Sequence, residues 1–130
     1  MGKTLSHPPR VFRVNWFRRD EEGRFLWPGF GQNMRVLQWI LERCEGAGKA
    51  METPIGWIPG PGGIETAGLD LAPGTLEKLF ALDIDGWRGA LRSQEEFFAS
   101  FGDRLPAAIR EEHGALGKRL QQAHLSSAVR

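Results

Sequence analysis

The feature that most constrains this chain is a turn-rich aromatic segment that leads directly into a helical pattern. Residues 25–33 read Phe-Leu-Trp-Pro-Gly-Phe-Gly-Gln-Asn, so a Pro-Gly turn separates aromatic side chains and an amide closes the segment. Aromatic side chains in a loop either bury themselves in a core or contact a flat ligand, because large exposed apolar patches are unfavourable. Glycine allows close backbone approach and the amide offers directional hydrogen bonds. The segment therefore predicts a purine pocket, with burial in a core as the alternative.

The residues before this segment predict a β-hairpin. Residues 11–17 are rich in β-branched and aromatic side chains and predict a strand with Phe12, Val14 and Trp16 on its core face. Residues 24–27 are expected to return antiparallel and to stop at the following proline. Such a hairpin would bring Phe17 and Phe25 close together.

The residues after the segment predict a helix over 32–45. Gly46 follows it, as expected beyond a helix C-terminus. Asn33 lies near the start, where its side chain either caps the helix or projects toward the aromatic rings as a ligand contact. Apolar residues recur at helical spacing and predict the buried face: Met34, Leu37, Ile40, Leu41 and Cys44.

The rest of the chain predicts an α+β fold with most of its helices near the C-terminus. Residues 45–74 are rich in glycine and proline and are expected to be mostly irregular, and the Gly60–Gly63 run lacks the Lys-Ser/Thr ending of a phosphate loop, so it predicts a surface turn. Helices are predicted over 75–82, over 85–101 and from Pro106 onward. The expected architecture is an N-terminal β-hairpin and aromatic loop, then a helix, an irregular stretch and a helical tail.

Composition indicates a cytoplasmic protein of one domain's length. The chain has 130 residues, a formal net charge of +1 and a single cysteine. That charge does not predict attraction to nucleic acid or to a membrane surface. One cysteine excludes an intrachain disulfide framework, and no apolar run is long enough to span a bilayer.

The residue chemistry predicts binding and offers no obvious catalytic group. His7, His113 and His124 are scattered without a second metal ligand at suitable spacing, and His113 is expected to be packed. Cys44 is expected to be a buried, inert thiol. The acidic run 20–22 is interpreted as a solvated turn rather than a metal site.

The aromatic residues divide into two groups. Trp16, Trp27 and Trp39 are predicted to be core residues, as is usual for large aromatic side chains. The phenylalanines at positions 17, 25 and 30 flank turns near the amide. Spacing alone leaves burial in the core and contact with a flat ligand as equal alternatives for these phenylalanines.

Long phrases of this sequence resemble the C-terminal part of GTP-dependent phosphoenolpyruvate carboxykinase. They are residues 14–19 (VNWFRR), 25–33 (FLWPGFGQN), 35–37 (RVL) and 52–56 (ETPIG), with weaker similarity around Trp87 and Leu105-Pro106. The resemblance covers nearly all of the chain from about residue 9. It implies that residues 1–130 are the C-terminal segment of a larger nucleotide-binding domain. The family's enzyme is a carboxy-lyase of gluconeogenesis that converts oxaloacetate and GTP to phosphoenolpyruvate, GDP and carbon dioxide, with manganese or magnesium.

The resemblance implies a role for each position in the aromatic segment. Phe17, Phe25 and Phe30 match the phenylalanines that enclose guanine, and Asn33 matches the amide that hydrogen-bonds the base. The stretch that contains Gly31 and Gln32 matches the nucleotide-binding segment, and Trp16 matches a supporting neighbour of the pocket. Gln32 departs from the family's usual glutamate, which removes a charge beside the pocket.

The resemblance also implies that catalysis depends on other parts of the enzyme. The family's phosphate loop, metal ligands, catalytic lysine and oxaloacetate-binding arginines match nothing in this sequence and are expected in the N-terminal remainder, the implied protein partner. This chain alone is therefore expected to bind GTP or GDP, to bind no metal and to be inactive. The alternatives are a stand-alone nucleotide-binding module and an inactive remnant.

Overall fold

Helices account for most of the regular structure in the computed structural model, which describes the backbone of residues 5–128 and the side chains of residues 5–123. The α+β class predicted from the sequence is confirmed, and each predicted helix is present within about two residues of its expected bounds. Two consecutive strands pair as an antiparallel hairpin. The elements are α1 (Asn33–Cys44), β1 (Ala50–Thr53), β2 (Gly56–Pro59), α2 (Thr75–Phe80), α3 (Ile84–Ala99) and α4 (Ala107–Ala128), with 3-10 turns at Phe30–Gln32 and Gly102–Arg104.

The prediction of an N-terminal β-hairpin is wrong. Within residues 5–128 the strands lie at positions 50–53 and 56–59, inside the stretch that was expected to be irregular. Residues 11–17 form no strand, and the Phe17 N–H donates to the Asn15 side-chain oxygen at 3.0 Å, which turns the backbone locally. A single antiparallel bridge between Arg19 and Phe25 is all that forms of the expected ladder.

Two compact units make up the chain, and the first contains the tryptophan core. This unit comprises the residues up to Met51 together with Ile58–Ala81. Trp27, Trp39 and Ile64 are each about 6% exposed or less, and Trp16 packs against them from the edge. The prediction that Trp27 and Trp39 are core residues is therefore confirmed.

Helix α1 packs on a face that shares only Ile40 with the one predicted. Val36, Trp39 and Ile40 contact the core, and the Trp39 indole N–H donates to the carbonyl of Lys49 at 2.8 Å. The bulky indole decides the orientation, because it buries the largest apolar surface and finds a hydrogen-bond partner. Most of the predicted face is instead exposed: Met34 (67%), Leu37 (40%), Leu41 (62%) and Cys44. The prediction of a buried Cys44 thiol is wrong.

The glycine-rich run at 60–63 is a turn, as predicted, but part of it is tightly packed. The N–H of Gly60 donates to the Lys49 carbonyl at 3.1 Å, and the N–H of Gly63 donates to the Gly60 carbonyl at 2.8 Å. A Cβ atom at Gly63 would lie 2.6 Å from the Lys49 carbonyl oxygen. Glycine is required there by close backbone approach, and the turn is a structural feature of the core.

The second unit comprises Glu52–Trp57 together with the chain from Leu82 onward. In it, α3 packs against α4, and a Cβ atom at Gly117 would lie 3.1 Å from the Leu91 side chain. A ring nitrogen of His113 lies 3.1 Å from the Leu91 carbonyl oxygen, and its ring contacts Phe98 with centroids 5.4 Å apart. His113 is packed, as predicted, whereas the side chain of His124 lies outside the described residues.

In the described part of the chain, none of the helices has the length and apolarity needed to cross a membrane.

Candidate functional site

Phe17 and Phe25 lie side by side, although the hairpin expected to pair them is missing. Their ring centroids are 6.2 Å apart with an interplanar angle of 61°. The tight turn between them supplies this proximity, because the Leu26 N–H donates to the Arg18 carbonyl at 2.9 Å beside the bridge of Arg19 with Phe25. Both rings remain open to solvent, with Phe17 72% and Phe25 52% exposed.

Arg19 lies over Phe25, a contact that sequence reasoning missed. Its guanidinium carbon is 4.1 Å from the ring centroid, within the range of a cation–π interaction. The antiparallel bridge places Arg19 directly opposite Phe25, so the contact depends on how the turn folds. The spacing of the two residues in the sequence therefore did not indicate it. Arg19 therefore covers one part of the Phe25 surface and adds a positive charge beside it.

The acidic turn before Phe25 is held by Arg24. The Asp20 carboxylate accepts from the Arg24 side chain at 2.9 Å and from its backbone N–H at 2.8 Å, and Glu22 accepts from the same guanidinium at 2.7 Å. Partial burial raises the pKa of Asp20, but these hydrogen bonds and the charge of Arg24 outweigh it, so the pKa lies below its ordinary value. The carboxylates thus have a structural role in shaping this turn.

Phe30 is the most exposed of the three predicted binding phenylalanines. It opens the 3-10 turn, follows Gly29, whose φ of 105° favours glycine, and is 91% exposed. No ring of another described residue contacts it, so it is not joined to the pair formed by Phe17 and Phe25. Gly31 next to it is also exposed.

Asn33 does not cap the helix, and its side chain contacts a tryptophan of the aromatic segment. It is the first residue of α1, the cap position belongs to Gln32, and no side chain caps the helix. The Asn33 side-chain oxygen instead accepts from the indole N–H of Trp27 at 2.8 Å. The side chain is half-buried, and its NH2 group has no hydrogen-bond partner among the described residues.

Gln32 is held by an arginine that the sequence analysis did not single out. The Arg35 Nε donates to the Gln32 side-chain oxygen at 2.7 Å, and the two terminal nitrogens donate to the carbonyls of Glu65 and Ala67 at 3.0 Å each. Gln32 and Arg35 are three residues apart at the start of a helix, a spacing that permits this contact. Arg35 also lines a shallow cavity of about 300 Å³ beside Trp39 and the glycine turn.

Trp16 precedes Phe17 in the sequence and packs against the core. It is half-buried, and its ring lies 6.5 Å from that of Trp27. Trp16 thus joins the turn that carries Phe17 to the core that contains Trp27.

No cluster suited to a metal ion occurs among the residues that the structure describes. These residues include no group of three His, Cys, Asp or Glu side chains close enough to bind one. The divalent metal implied by the resemblance therefore has no fitting donor set in the described part of this chain.

Comparison with known sequences identifies the family. A family model described as the phosphoenolpyruvate carboxykinase C-terminal P-loop domain matches residues 1–119. The chain is 50% identical over 112 residues to phosphoenolpyruvate carboxykinase (GTP) of Paenarthrobacter aurescens (strain TC1), a match that covers 86% of this chain and 18% of the relative.

Two further relatives carry the same name. That of Treponema pallidum (strain Nichols) is 42% identical over 123 residues, covering 94% of this chain and 20% of the relative. That of Chlamydia muridarum (strain MoPn / Nigg) is 46% identical over 112 residues, covering 85% of this chain and 18% of the relative. The chain thus spans about a fifth of the length of the relatives it matches.

Proposed function

Since this chain belongs to the GTP-dependent phosphoenolpyruvate carboxykinase family, in the part described as its C-terminal P-loop domain, we propose that it is a guanine-nucleotide-binding segment of such an enzyme. The proposed ligands are GTP and GDP. The proposed binding residues are Phe17, Phe25, Phe30, Gly31, Gln32 and Asn33, with Trp16 as support.

The observation that carries this proposal is the division of the aromatic residues between core and surface. Trp27 is 6% exposed, whereas Phe17, Phe25 and Phe30 are 72%, 52% and 91% exposed. Phe17 and Phe25 form an exposed pair of rings, and Phe30 is exposed separately at the next turn, so each offers an apolar face that a planar base can cover. Stacking of a base on an aromatic ring contributes about 1–3 kcal/mol.

Stacking holds any purine, so the choice of guanine requires hydrogen bonds to the edge of the base. Asn33 supplies an NH2 group without a protein partner among the described residues, beside the exposed Phe30. The N-terminus of α1 adds positive potential at the same place. This combination supports a guanine nucleotide as the ligand.

The activity proposed for the whole enzyme is the conversion of oxaloacetate and GTP to phosphoenolpyruvate, GDP and carbon dioxide in gluconeogenesis, in the cytoplasm. Phosphoryl transfer of this kind depends on metal ions and cationic groups positioned around the phosphates. We assign the metal and the catalytic groups to regions of the enzyme outside this chain. The chain alone is therefore predicted to bind nucleotide without turnover.

Calorimetric titration of the 130-residue chain with GTP, GDP and ATP tests the binding role. We expect GTP and GDP to bind more tightly than ATP. Phe30→Ala should weaken GTP binding about 5- to 150-fold, the range that corresponds to loss of one stacking contact. Asn33→Ala should reduce the preference for GTP over ATP.

Phe97→Ala serves as the matched control, because Phe97 is 61% exposed but lies in α3, away from the proposed binding residues in the chain. It should leave the affinity for GTP unchanged. Equal binding of GTP and ATP would favour a general nucleotide-binding module, and absence of heat with every nucleotide would favour an inactive remnant; either result would overturn the proposal.

Mixing the chain with a relative that lacks the matching region tests the enzymatic part. Formation of phosphoenolpyruvate by the mixture, with none from either piece alone, is the expected result. Turnover by the 130-residue chain alone would contradict the assignment of the catalytic groups.

A further inference from the structure

The hydrogen bond between Trp27 and Asn33 bears directly on how a base could be selected. The indole nitrogen of Trp27 lies 2.8 Å from the Asn33 side-chain oxygen. An indole N–H only donates, so the atom that faces it must be the oxygen of the amide. The orientation of the Asn33 amide is thereby fixed by chemistry.

Trp27 is well placed to hold this orientation. It is 6% exposed, forms part of the core cluster with Trp39 and Ile64, and has the Trp16 ring 6.5 Å away. A buried ring in a close-packed core has little freedom to rotate. The oxygen of Asn33 is therefore directed toward the protein interior, and the NH2 group remains to be presented to a ligand.

A free asparagine amide recognises adenine through two atoms, because its oxygen accepts from N6 and its nitrogen donates to N7. Guanine has no donor at that edge and offers two acceptors, O6 and N7. The Asn33 oxygen keeps a second lone pair, but it is directed at the buried Trp27 ring, so the amide presents its NH2 group rather than both atoms to a ligand and loses the two-atom match to adenine. It keeps a donor for the guanine edge.

We infer that Trp27 is a specificity-determining positioning residue: its indole N–H occupies the Asn33 oxygen and leaves the Asn33 NH2 group to donate to O6 of a guanine base. The inference rests on the proposed guanine-nucleotide function and names a residue that acts through Asn33. Trp27 itself does not contact the base.

Trp27→Phe tests the inference, because phenylalanine keeps an aromatic ring in the core and removes the N–H. The matched control is Trp39→Phe. Trp39 is equally buried at 5% exposure, and its N–H also makes a 2.8 Å hydrogen bond, but to the backbone carbonyl of Lys49. The two variants therefore remove the same group from the same core with different partners.

The measurement is the ratio of affinities for GTP and for 2-aminopurine riboside triphosphate, which lacks O6. Trp27→Phe should lower this ratio about fivefold, the change that corresponds to one neutral hydrogen bond of about 1 kcal/mol. Trp39→Phe should leave the ratio as in the unmodified chain. In an Asn33→Ala background, Trp27→Phe should change the ratio no further.

A second variant keeps the test decisive if Trp27→Phe does not fold. Asn33→Asp retains the oxygen that accepts from Trp27 and replaces the NH2 donor by an acceptor, so it should lose the preference for GTP over the 2-aminopurine nucleotide. In nuclear magnetic resonance spectra without nucleotide, the Trp27 indole N–H signal should shift in Asn33→Ala and remain near its position in Asn33→Asp.

The outcomes separate the inference from the function on which it rests. If the unmodified chain prefers GTP over the 2-aminopurine nucleotide and Trp27→Phe keeps the same preference, the inference is overturned and the proposed function stands. If Asn33→Asp prefers GTP over the 2-aminopurine nucleotide as strongly as the unmodified chain does, the assignment of the NH2 donor is overturned. If the unmodified chain binds no nucleotide, the proposed function and the inference are both overturned.

Discussion

Replacement of Arg35 by methionine should destabilise the first unit while leaving α1 intact. Methionine is as good a helix former as arginine, and its unbranched side chain replaces the aliphatic part of the arginine side chain. The substitution removes three donors at once, which bond to Gln32 within the same helix turn and to the carbonyls of Glu65 and Ala67. The latter two bonds join α1 to a loop 30 or more residues away in sequence.

The size of the effect follows from the exposure of these bonds. The net contribution of one hydrogen bond to the free energy of unfolding is about 0.5–1.5 kcal/mol. Bonds from charged groups contribute more when they are buried. The bonds to Glu65 and Ala67 are exposed and the bond to Gln32 is part-buried, so the lower half of this range applies to each. We therefore expect Arg35→Met to lower the free energy of unfolding by about 2 kcal/mol.

Urea unfolding followed by tryptophan fluorescence measures this change, because Trp27 and Trp39 report on the same unit. Arg13→Met is the control, since Arg13 is exposed and makes no hydrogen bond or ion pair with a described residue. The urea midpoint of this variant should equal that of the unmodified chain within experimental error. A loss below about 0.5 kcal/mol for Arg35→Met, the range of ordinary surface substitutions, would refute the assignment of a structural role to Arg35.

Three further predictions concern single residues. Gly63→Ala should lower the free energy of unfolding by about 1–3 kcal/mol, since its Cβ would meet the Lys49 carbonyl oxygen at 2.6 Å; an unchanged melting temperature would show that the turn can shift. Cys44 is exposed and should react with a thiol reagent in native buffer nearly as fast as in urea; slow reaction would contradict its exposure. The pKa of Asp20 lies below its ordinary value of 3.8, so its stabilising contribution is present above that value and is lost as the pH falls through the folded pKa. Arg24→Met should raise the pKa of Asp20 in a titration followed by nuclear magnetic resonance, and an unchanged pKa would contradict the cause assigned to it.

The helices could be predicted from the sequence because their signals are local. Spacing of apolar residues and the positions of glycine and proline indicate where a helix runs; α1 begins and ends close to the expected residues, and α4 begins close to the expected one. The direction in which α1 faces is a tertiary property. It is decided by the burial of Trp39 and its bond to Lys49, and both depend on residues outside the helix.

The hairpin failed as a prediction for a related reason. β-Branched and aromatic residues favour a strand only when a neighbouring strand pairs with it and covers its face. Residues 11–17 have no such partner among the described residues, so only the bridge from Arg19 to Phe25 forms. The proximity of Phe17 and Phe25 was nevertheless predicted correctly, because it depends on the tight turn between them rather than on the strand.

The candidate site was only partly predictable, because its organising contacts involve residues that carry no binding signal of their own. Arg35 reads as an ordinary helix residue and Trp27 as an ordinary core residue. The contact of Trp27 with Asn33 forms only when the turn at Pro28 and Gly29 brings the two sides together, and the contact of Arg35 with Gln32 is accompanied by bonds to a loop 30 or more residues away. Local spacing therefore singled out the three phenylalanines but left burial and ligand contact as equal alternatives for them, and it did not indicate the groups that orient the amides beside them.

The two buried tryptophans show how the core and the candidate site are connected. A buried indole N–H needs an acceptor, and the two rings meet this need differently: Trp39 donates to a backbone carbonyl, whereas Trp27 donates to the side chain of Asn33. Loss of the first bond affects stability alone. Loss of the second also frees a side chain that is proposed to contact the base. Substitution of Trp27 is therefore expected to change nucleotide selectivity although Trp27 does not contact the nucleotide, while substitution of the equally buried Trp39 is expected to change only the free energy of unfolding.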